Sequence, residues 1–241
     1  MQFERHVRDW NEMAADPFWA VLTGKRDWDL QEFFATGDED AGSLFARTQQ
    51  LGLPRDRLRA LDFGCGVGRV TRRLAEQFVE TVGVDVSRPM LELARRYNPE
   101  CLFHLSRRDD LGDFPDSHFD LVYSLIVLQH QPTSMAIENY LREFVRVLRP
   151  GGLLAFQLPS SMPLRYRLAP RRRAYRLLHA AGIGAHRLLQ WKLFPMKMTA
   201  MKAGRVSHVI ERSGGRVLHS EAHTGSGPIP SRMYYCTKDG E

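Results

Sequence analysis

Between Leu58 and Leu158, strand-length apolar runs alternate with segments whose apolar residues recur every three or four positions. Leu58–Phe63 and Thr81–Val86 read as short buried strands, and Cys101–Leu105, a run within Phe119–Leu128, and Leu153–Leu158 as three more. Val70, Leu74 and Phe78 fall on one helix face between the first two. Met90, Leu91, Ala94 and Tyr97 form a second face, opened by a Ser87 cap with Pro89 in the first turn and stopped by Asn98-Pro99. Ile137, Leu141, Phe144, Val145 and Leu148 form a third, ended by Arg149-Pro150-Gly151-Gly152. This alternation predicts a parallel sheet with helices on both faces, an α/β doubly wound fold.

The flanks differ in texture. Residues 3 to 16 read as an amphipathic helix with Phe3, Val7, Trp10 and Ala14 on one face. Residues 17 to 50 are mixed, with Phe18, Trp19, Trp28, Phe33 and Phe34 as core candidates. After Pro159 the alternation breaks into a basic, helix-prone stretch interrupted by Pro163, Pro170, Gly182, Gly184 and Pro195. It resumes with a helix near Val206–Ser213, a strand at Arg216–Ala222, a Gly/Pro loop, and a last strand at Arg232–Thr237 that closes an antiparallel hairpin. The expected division is a helical cap (1–50), a core (51–158 and 205–241), and a basic helical insertion or substrate lid (159–204).

Charge sharpens that division. From Phe144 to Ile210 there are 13 Lys and Arg and no acid, which leaves 21 bases against 28 acids elsewhere. A segment of this kind faces an anionic partner or is a solvated face. No run approaches the roughly 20 apolar residues that span a bilayer. Glu4 and Asp9 stand where a signal peptide needs apolar residues, so a cytoplasmic location is expected. Cys65, Cys101 and Cys236 lack metal-ligand or disulfide spacing, so no metal site is expected.

The sharpest chemical signal is Leu61-Asp62-Phe63-Gly64-Cys65-Gly66-Val67-Gly68-Arg69, which follows a strand and opens a helix. Glycines there admit close backbone approach, and the following helix N-terminus offers free N–H groups to an anion. Asp85 ends the second strand, where a carboxylate can accept both hydroxyls of a ribose. A dinucleotide fingerprint wants a third small residue at Arg69, which this turn lacks. The stretch resembles motif I of the class I S-adenosylmethionine-dependent methyltransferases. Val82-Gly83-Val84-Asp85-Val86-Ser87, Phe119-Asp120-Leu121-Val122, Leu128-Gln129-His130 and Leu148-Arg149-Pro150-Gly151-Gly152 extend the likeness in order over about 150 residues.

The resemblance implies a seven-stranded sheet in the order 3-2-1-4-5-7-6 with strand 7 antiparallel, and S-adenosyl-L-methionine as cofactor. It implies that Asp62, Gly64, Cys65, Gly66 and Gly68 hold the methionine end, that Asp85 and Val86 border the ribose, and that Met90 packs on the adenine. It also implies an acid on the adenine amino group, Asp109 or Asp110, the register being open by one residue. Ser124 and Leu125 would border the sulfonium. A base is needed only where the nucleophile carries a proton, and His130, just past strand four, is the candidate catalytic residue; the competing reading is a structural histidine.

Ser124-Leu125-Ile126-Val127 is not the Asn/Asp-Pro-Pro-aromatic signature of enzymes that methylate base amines, which argues against nucleic acid as partner. The expected function is O- or N-methylation of a small-molecule acceptor, lipid-linked or biosynthetic, with residues 159–204 as lid or as contact to an anionic membrane surface. The alternatives are an RNA methyltransferase using the basic insertion and a catalytically silent cofactor-binding protein.

Overall fold

The computed structural model describes residues 2–23, 25, 27–223 and 229–240. The Gly/Pro loop expected before the last strand falls largely outside the described residues, as do the side chains of Arg165 and Arg167. Seven strands form one sheet: β1 (Arg59–Phe63), β2 (Glu80–Asp85), β3 (Leu102–Leu105), β4 (Phe119–Ser124), β5 (Leu148–Pro159), β6 (Gly215–His223) and β7 (Ser231–Lys238). Their order is β3-β2-β1-β4-β5-β7-β6, as expected. β1 through β5 pair in parallel, and β7 runs antiparallel between β5 and β6.

The sheet is buried on both sides, so its strands carry continuous apolar runs rather than alternation. Every residue of β4 is buried. One face packs under α6 (Ser134–Val147) and α10 (Ala203–Arg212), with Phe144, Val145, Val206 and Ile210 against Leu154 and Phe156. The other face packs Ala60, Leu121, Tyr123 and Ala155 against α3 (Leu30–Leu51) and α4 (Thr71–Ala75). The buried Asp120 carboxylate ties three strands together, accepting the Leu58 and Arg59 N–H groups at 2.9 and 2.7 Å and pairing with Arg149 at 3.1 Å.

α3 is a single 22-residue helix in a region whose sequence shows no clear period. Asp29 caps its first turn by accepting from the Gln31 and Glu32 N–H groups, and Gly52 ends it in the left-handed conformation. Gly37 and Gly42 inside it mask the helical pattern, and Gly37 is required by packing, since a Cβ there would lie 2.3 Å from the Arg69 carbonyl oxygen.

A third apolar cluster joins remote parts of the chain. Met13, Trp19 and Ala20 come from α1 (Gln2–Met13) and α2 (Pro17–Val21), while Tyr175, Leu188 and Leu189 come from α8 (Pro170–Ala180) and α9 (Ala185–Gln190). Val67 and Met90 of the core complete it. The Tyr175 hydroxyl donates to Glu12 at 2.7 Å. The N-terminal helices and the insertion therefore form one body above the carboxyl ends of the strands.

Candidate active site

In a doubly wound sheet, ligands bind outside the carboxyl ends of the strands, where the order reverses. Here the reversal lies between β1 and β4, and the turns after β1, β2 and β4 open there. A cavity with about 730 Å³ of empty space, its open mouth included, occupies that crevice.

The turn after β1 runs through Gly64 and Gly66 at φ +77° and +55°. A Cβ on Gly64 would stand 2.3 Å from Val127 Cγ2, so glycine permits both the conformation and the contact between this turn and the one after β4. At the end of β2, the Asp85 carboxylate is held by two backbone donors, Gly66 N–H at 2.9 Å and Ser87 N–H at 2.8 Å. Burial raises its pKa from the ordinary value, and those backbone bonds oppose the rise. A carboxylate has about four acceptor positions, so two bonds leave capacity for a ligand's hydroxyls. Val86, in the turn after β2, and Met90, in α5 (Arg88–Tyr97), whose first turn Ser87 caps, continue the wall.

Of the residues expected to form the site, Gly64, Gly66, Asp85, Val86, Met90, Leu125 and His130 line this one cavity. Six do not. Asp62 lies behind the turn, fully buried, with Thr71 Oγ1 donating to it at 2.7 Å; burial pushes its pKa up to about 6. Cys65 faces the sheet, its Sγ 2.9 Å from where a Cβ on Gly83 would stand. Gly68 packs against Asn98 and Phe103. Ser124 is buried beneath the cavity, its Oγ without a hydrogen bond.

The structure also departs from the expected adenine acid. Asp110 caps its own loop by accepting the Gly112 N–H and pairs with Arg108, while Asp109 offers its carbonyl to Asn139. Neither lines the cavity; Ser106, whose N–H donates to the Asp85 carbonyl at 2.9 Å, does. The physical reason is loop length. β3 ends at Leu105, and Ser106 is the first residue past the strand edge, whereas the two aspartates sit further out, beside α6.

The other end of the cavity contains residues that the sequence pattern did not place there. His6 and Trp10 project from α1, and the Trp10 ring meets His130 edge-on at 5.4 Å between centroids. The His6 ring also meets Trp10 edge-on, at 6.4 Å between centroids. The inward face of α1 is rotated from the expected Phe3/Val7/Trp10/Ala14 stripe so that His6 and Met13 are its buried residues. Histidine was hidden because it counts as polar in an apolar pattern, yet here it faces a cavity. Burial drives the pKa of both His6 and His130 down to about 4, the nearby His6 adding to the effect on His130, so both rings are neutral at pH 7. An ordinary imidazole value near 6.5, the basis for expecting a neutral-pH base, does not apply. Arg69 also reaches the wall, but its charge is balanced by Asp40 at 2.6 Å.

Among the described residues, none of the segment 159–204 lines the cavity. It acts from behind. Thr199 N–H donates to the Gln129 carbonyl at 2.7 Å, and Thr199 Oγ1 to the Gln131 carbonyl at 2.8 Å, clamping the 3-10 turn (Leu128–His130) that carries His130. Ile126, just before that turn, holds φ +61°, a strained conformation for a β-branched residue, and its side chain lines the cavity.

Comparison with known proteins agrees with this geometry. Residues 61–156 match the family model described as methyltransferase domain. A trans-aconitate 2-methyltransferase of Methylobacterium radiotolerans is 34% identical over 161 residues, which cover 65% of this chain and 56% of that protein. A ubiquinone biosynthesis O-methyltransferase of Alkalilimnicola ehrlichii is 28% identical over 159 residues, 64% of this chain and 62% of that protein. The chain thus spans little over half the length of the curated relatives it matches. Among solved structures, a magnesium protoporphyrin IX methyltransferase from Synechocystis with bound SAH superposes with a TM-score of 0.65 at 19% identity, covering 98% of this chain and all of that one. That likeness establishes the fold. Sheet order, Gly-rich turn, strand-end carboxylate and family match converge: residues 61–156 match a methyltransferase domain, set in the Rossmann-like fold shared with S-adenosylmethionine-dependent methyltransferases.

Proposed function

We propose that the chain methylates an uncharged, largely apolar small molecule at a hydroxyl oxygen, using S-adenosyl-L-methionine. The observation that carries this reading is the single cavity that joins Gly64, Gly66, Asp85 and Met90 at one end to Trp10 and His130 at the other.

The donor set fits the cofactor. Asp85 would accept the ribose hydroxyls, Val86 and Met90 would pack on the adenine with Ser106 at its edge, and the Gly64–Gly66 backbone would pass close to the methionine portion. Asp62, behind the turn, would balance the amino group through it, and Arg69 would meet the carboxylate. When bound, the cofactor supplies a methyl group on a sulfonium, ready for in-line displacement. The chain contributes position and a dry wall.

The acceptor class follows from charge. His6 and His130 are neutral, and Arg69 is already paired, so the acceptor end has no unbalanced cation to hold an anionic substrate. Neutral imidazole beside Trp10, Leu125, Ile126 and Val127 suits a neutral ring or chain bearing a hydroxyl. With its lowered pKa, His130 takes the hydroxyl proton only as the O–C bond forms. This favours an acceptor of the kind named for the ubiquinone relatives over the carboxylate named for the trans-aconitate relatives.

A lipid-linked acceptor also accounts for the outer face of the insertion. Leu164, Leu168, Leu177 and Trp191 are exposed there beside exposed Arg171, Arg173, Arg187 and Lys192, a composition suited to an anionic membrane surface. No helix among the described residues is long and apolar enough to cross a membrane.

The test is calorimetry with S-adenosylhomocysteine and with NAD, followed by transfer of labelled methyl to a panel of phenols, aliphatic alcohols, carboxylates and amines. Binding of the former alone and turnover of neutral hydroxyl compounds are expected. NAD binding would overturn the cofactor assignment, and turnover confined to carboxylates would overturn the acceptor class.

A further inference from the structure

A run of buried polar side chains leads away from His130 into an otherwise apolar region of the sheet. Gln129 Nε2 lies 3.3 Å from His130 Nε2. Gln157 Nε2 donates to Gln129 Oε1 at 3.4 Å and to Ser231 Oγ at 2.7 Å. Gln157 is fully buried, and Gln129 and Ser231 are 4% and 5% exposed. Gln157 belongs to β5 and Ser231 to β7, so two strands fix the inner end of the run. Burying two amides and a hydroxyl costs free energy that their mutual hydrogen bonds offset only in part, since Gln157 Oε1 stays unpaired.

With the bonds running in this sense, Gln129 donates its amide N–H to His130 Nε2, and the ring proton sits on Nδ1. Nδ1 makes no hydrogen bond within the chain. The reversed sense is available to the same atoms. Ser231 O–H then donates to Gln157 Oε1, Gln157 accepts from Gln129 Nε2–H, and Gln129 Oε1 accepts from His130 Nε2–H. In this state Nδ1 carries a lone pair. Each sense leaves one polar atom of Gln157 unpaired, as Oε1 is in the first, so the number of satisfied groups does not decide between them.

We infer that Gln129, oriented by Gln157 and Ser231, is a positioning residue that sets which nitrogen of His130 holds the proton. Only the reversed sense leaves a proton acceptor at Nδ1, a buried nitrogen without a hydrogen bond of good geometry; the Lys197 carbonyl, which can only accept, favours a ring N–H facing it and competes with Gln129 for the tautomer. Gln129 acts through His130 and is not itself a catalytic residue. The inference deepens the hydroxyl-methylation reading, but its core, the tautomer, exists without any substrate.

The experiment is nitrogen-15 NMR of the histidine side chains in the ligand-free full chain, with His130 assigned by His130→Gln. Gln129→Glu provides a fixed acceptor. It should place the His130 proton on Nε2 and raise the ring's titration midpoint by at least one pH unit. His6 on α1 and the Lys197 carbonyl also act on the ring, so their surroundings are monitored through the His6 signal in the same spectra. Ser231→Ala weakens the inner anchor and should shift the Nδ1–H to Nε2–H ratio without moving the His6 signal. If Gln129→Glu does not fold, Gln157→Glu applies the same demand one step further in. An unchanged tautomer and midpoint in the folded variants would overturn the inference. In activity, Gln129→Leu should lower kcat at least tenfold with unchanged cofactor Kd; a normal tautomer response with no loss of kcat would instead refute the base role of His130 and leave the positioning intact.

Discussion

Asp62 works against folding at neutral pH, and the size of that effect can be measured. Its carboxyl is fully buried behind the Gly-rich turn, accepts one hydrogen bond from Thr71, and titrates near 6 rather than 3.8. A carboxyl raised in the folded state is more easily charged in the unfolded chain. The penalty is therefore complete above the folded value and disappears as pH falls toward the unfolded one. At 1.36 kcal/mol per unit the shift from 3.8 to about 6 corresponds to about 3 kcal/mol. Asp62→Asn keeps an acceptor for Thr71 and removes the charge. It also buries an amide N–H₂, at a cost of about 1–3 kcal/mol that does not vary with pH. The pH-dependent part is the clean quantity. The stability of Asp62→Asn relative to the parent should rise by about 3 kcal/mol between pH 3.5 and pH 7.5, with most of the change between pH 4 and 6. Urea unfolding followed by tryptophan fluorescence at six pH values measures it. A difference flat to within 0.5 kcal/mol would refute the assignment of a strained acid at this position. If Asp62 also balances the cofactor's amino group, the same variant should bind S-adenosylhomocysteine at least tenfold more weakly at pH 7.5.

Asp85→Ala, verified as folded, should weaken cofactor affinity at least about 100-fold, since each charge-assisted bond to a ribose hydroxyl contributes about 1.5–3 kcal/mol; calorimetry within tenfold of the parent would move the ribose elsewhere. Gly64→Ala forces a Cβ into Val127 at positive φ and should cost more than about 2 kcal/mol of stability and abolish cofactor binding, read by thermal shift with and without ligand. The acidic limb of kcat/KM should lie near pH 4 rather than 6.5, because burial keeps His130 neutral down to about that value; a limb near 6.5 that vanishes in His130→Gln would show that the occupied site is far wetter. Arg171, Arg173 and Arg187 together changed to Gln should leave cofactor Kd unchanged and reduce sedimentation with phosphatidylserine vesicles, at about 1 kcal/mol per charge; undiminished sedimentation would refute the membrane contact.

The sheet was legible because burial on both faces writes itself as uninterrupted runs such as Leu121–Tyr123, and because Ser87, Asn98-Pro99 and Gly151-Gly152 mark where elements begin and turn. The inner wall of the cavity was legible for the same reason: Gly64, Gly66 and Asp85 occupy strand ends, and strand ends are readable. What lay beyond one element was not. Asp109 and Asp110 have the right chemistry in the right loop, but whether an acid reaches the cavity depends on how far past Leu105 it sits. His6 and Ile126 give no signal, since a buried polar residue and a positive φ at a β-branched residue run against the patterns used to find them. The insertion was readable in charge and not in role: Arg171, Arg173, Arg187 and Lys192 are exposed, while the neutral Thr199 reaches the turn that carries His130.

The shared cluster of the first helices with α8 and α9 also has a consequence for the order of assembly. Glu12 and Tyr175 are 163 residues apart, so the helix nearest the N-terminus gains this contact only after the five parallel strands and the insertion have been made. Contacts of such separation form late, because a long intervening chain must be closed first. A growing or partly folded chain thus holds a finished Gly-rich turn and Asp85 under an absent roof. The Gly-rich turn and the Asp85 strand end are complete before the helical roof, and a nascent chain stalled near residue 160 would already possess every residue that lines the cavity while lacking the insertion that packs in one cluster with Trp10.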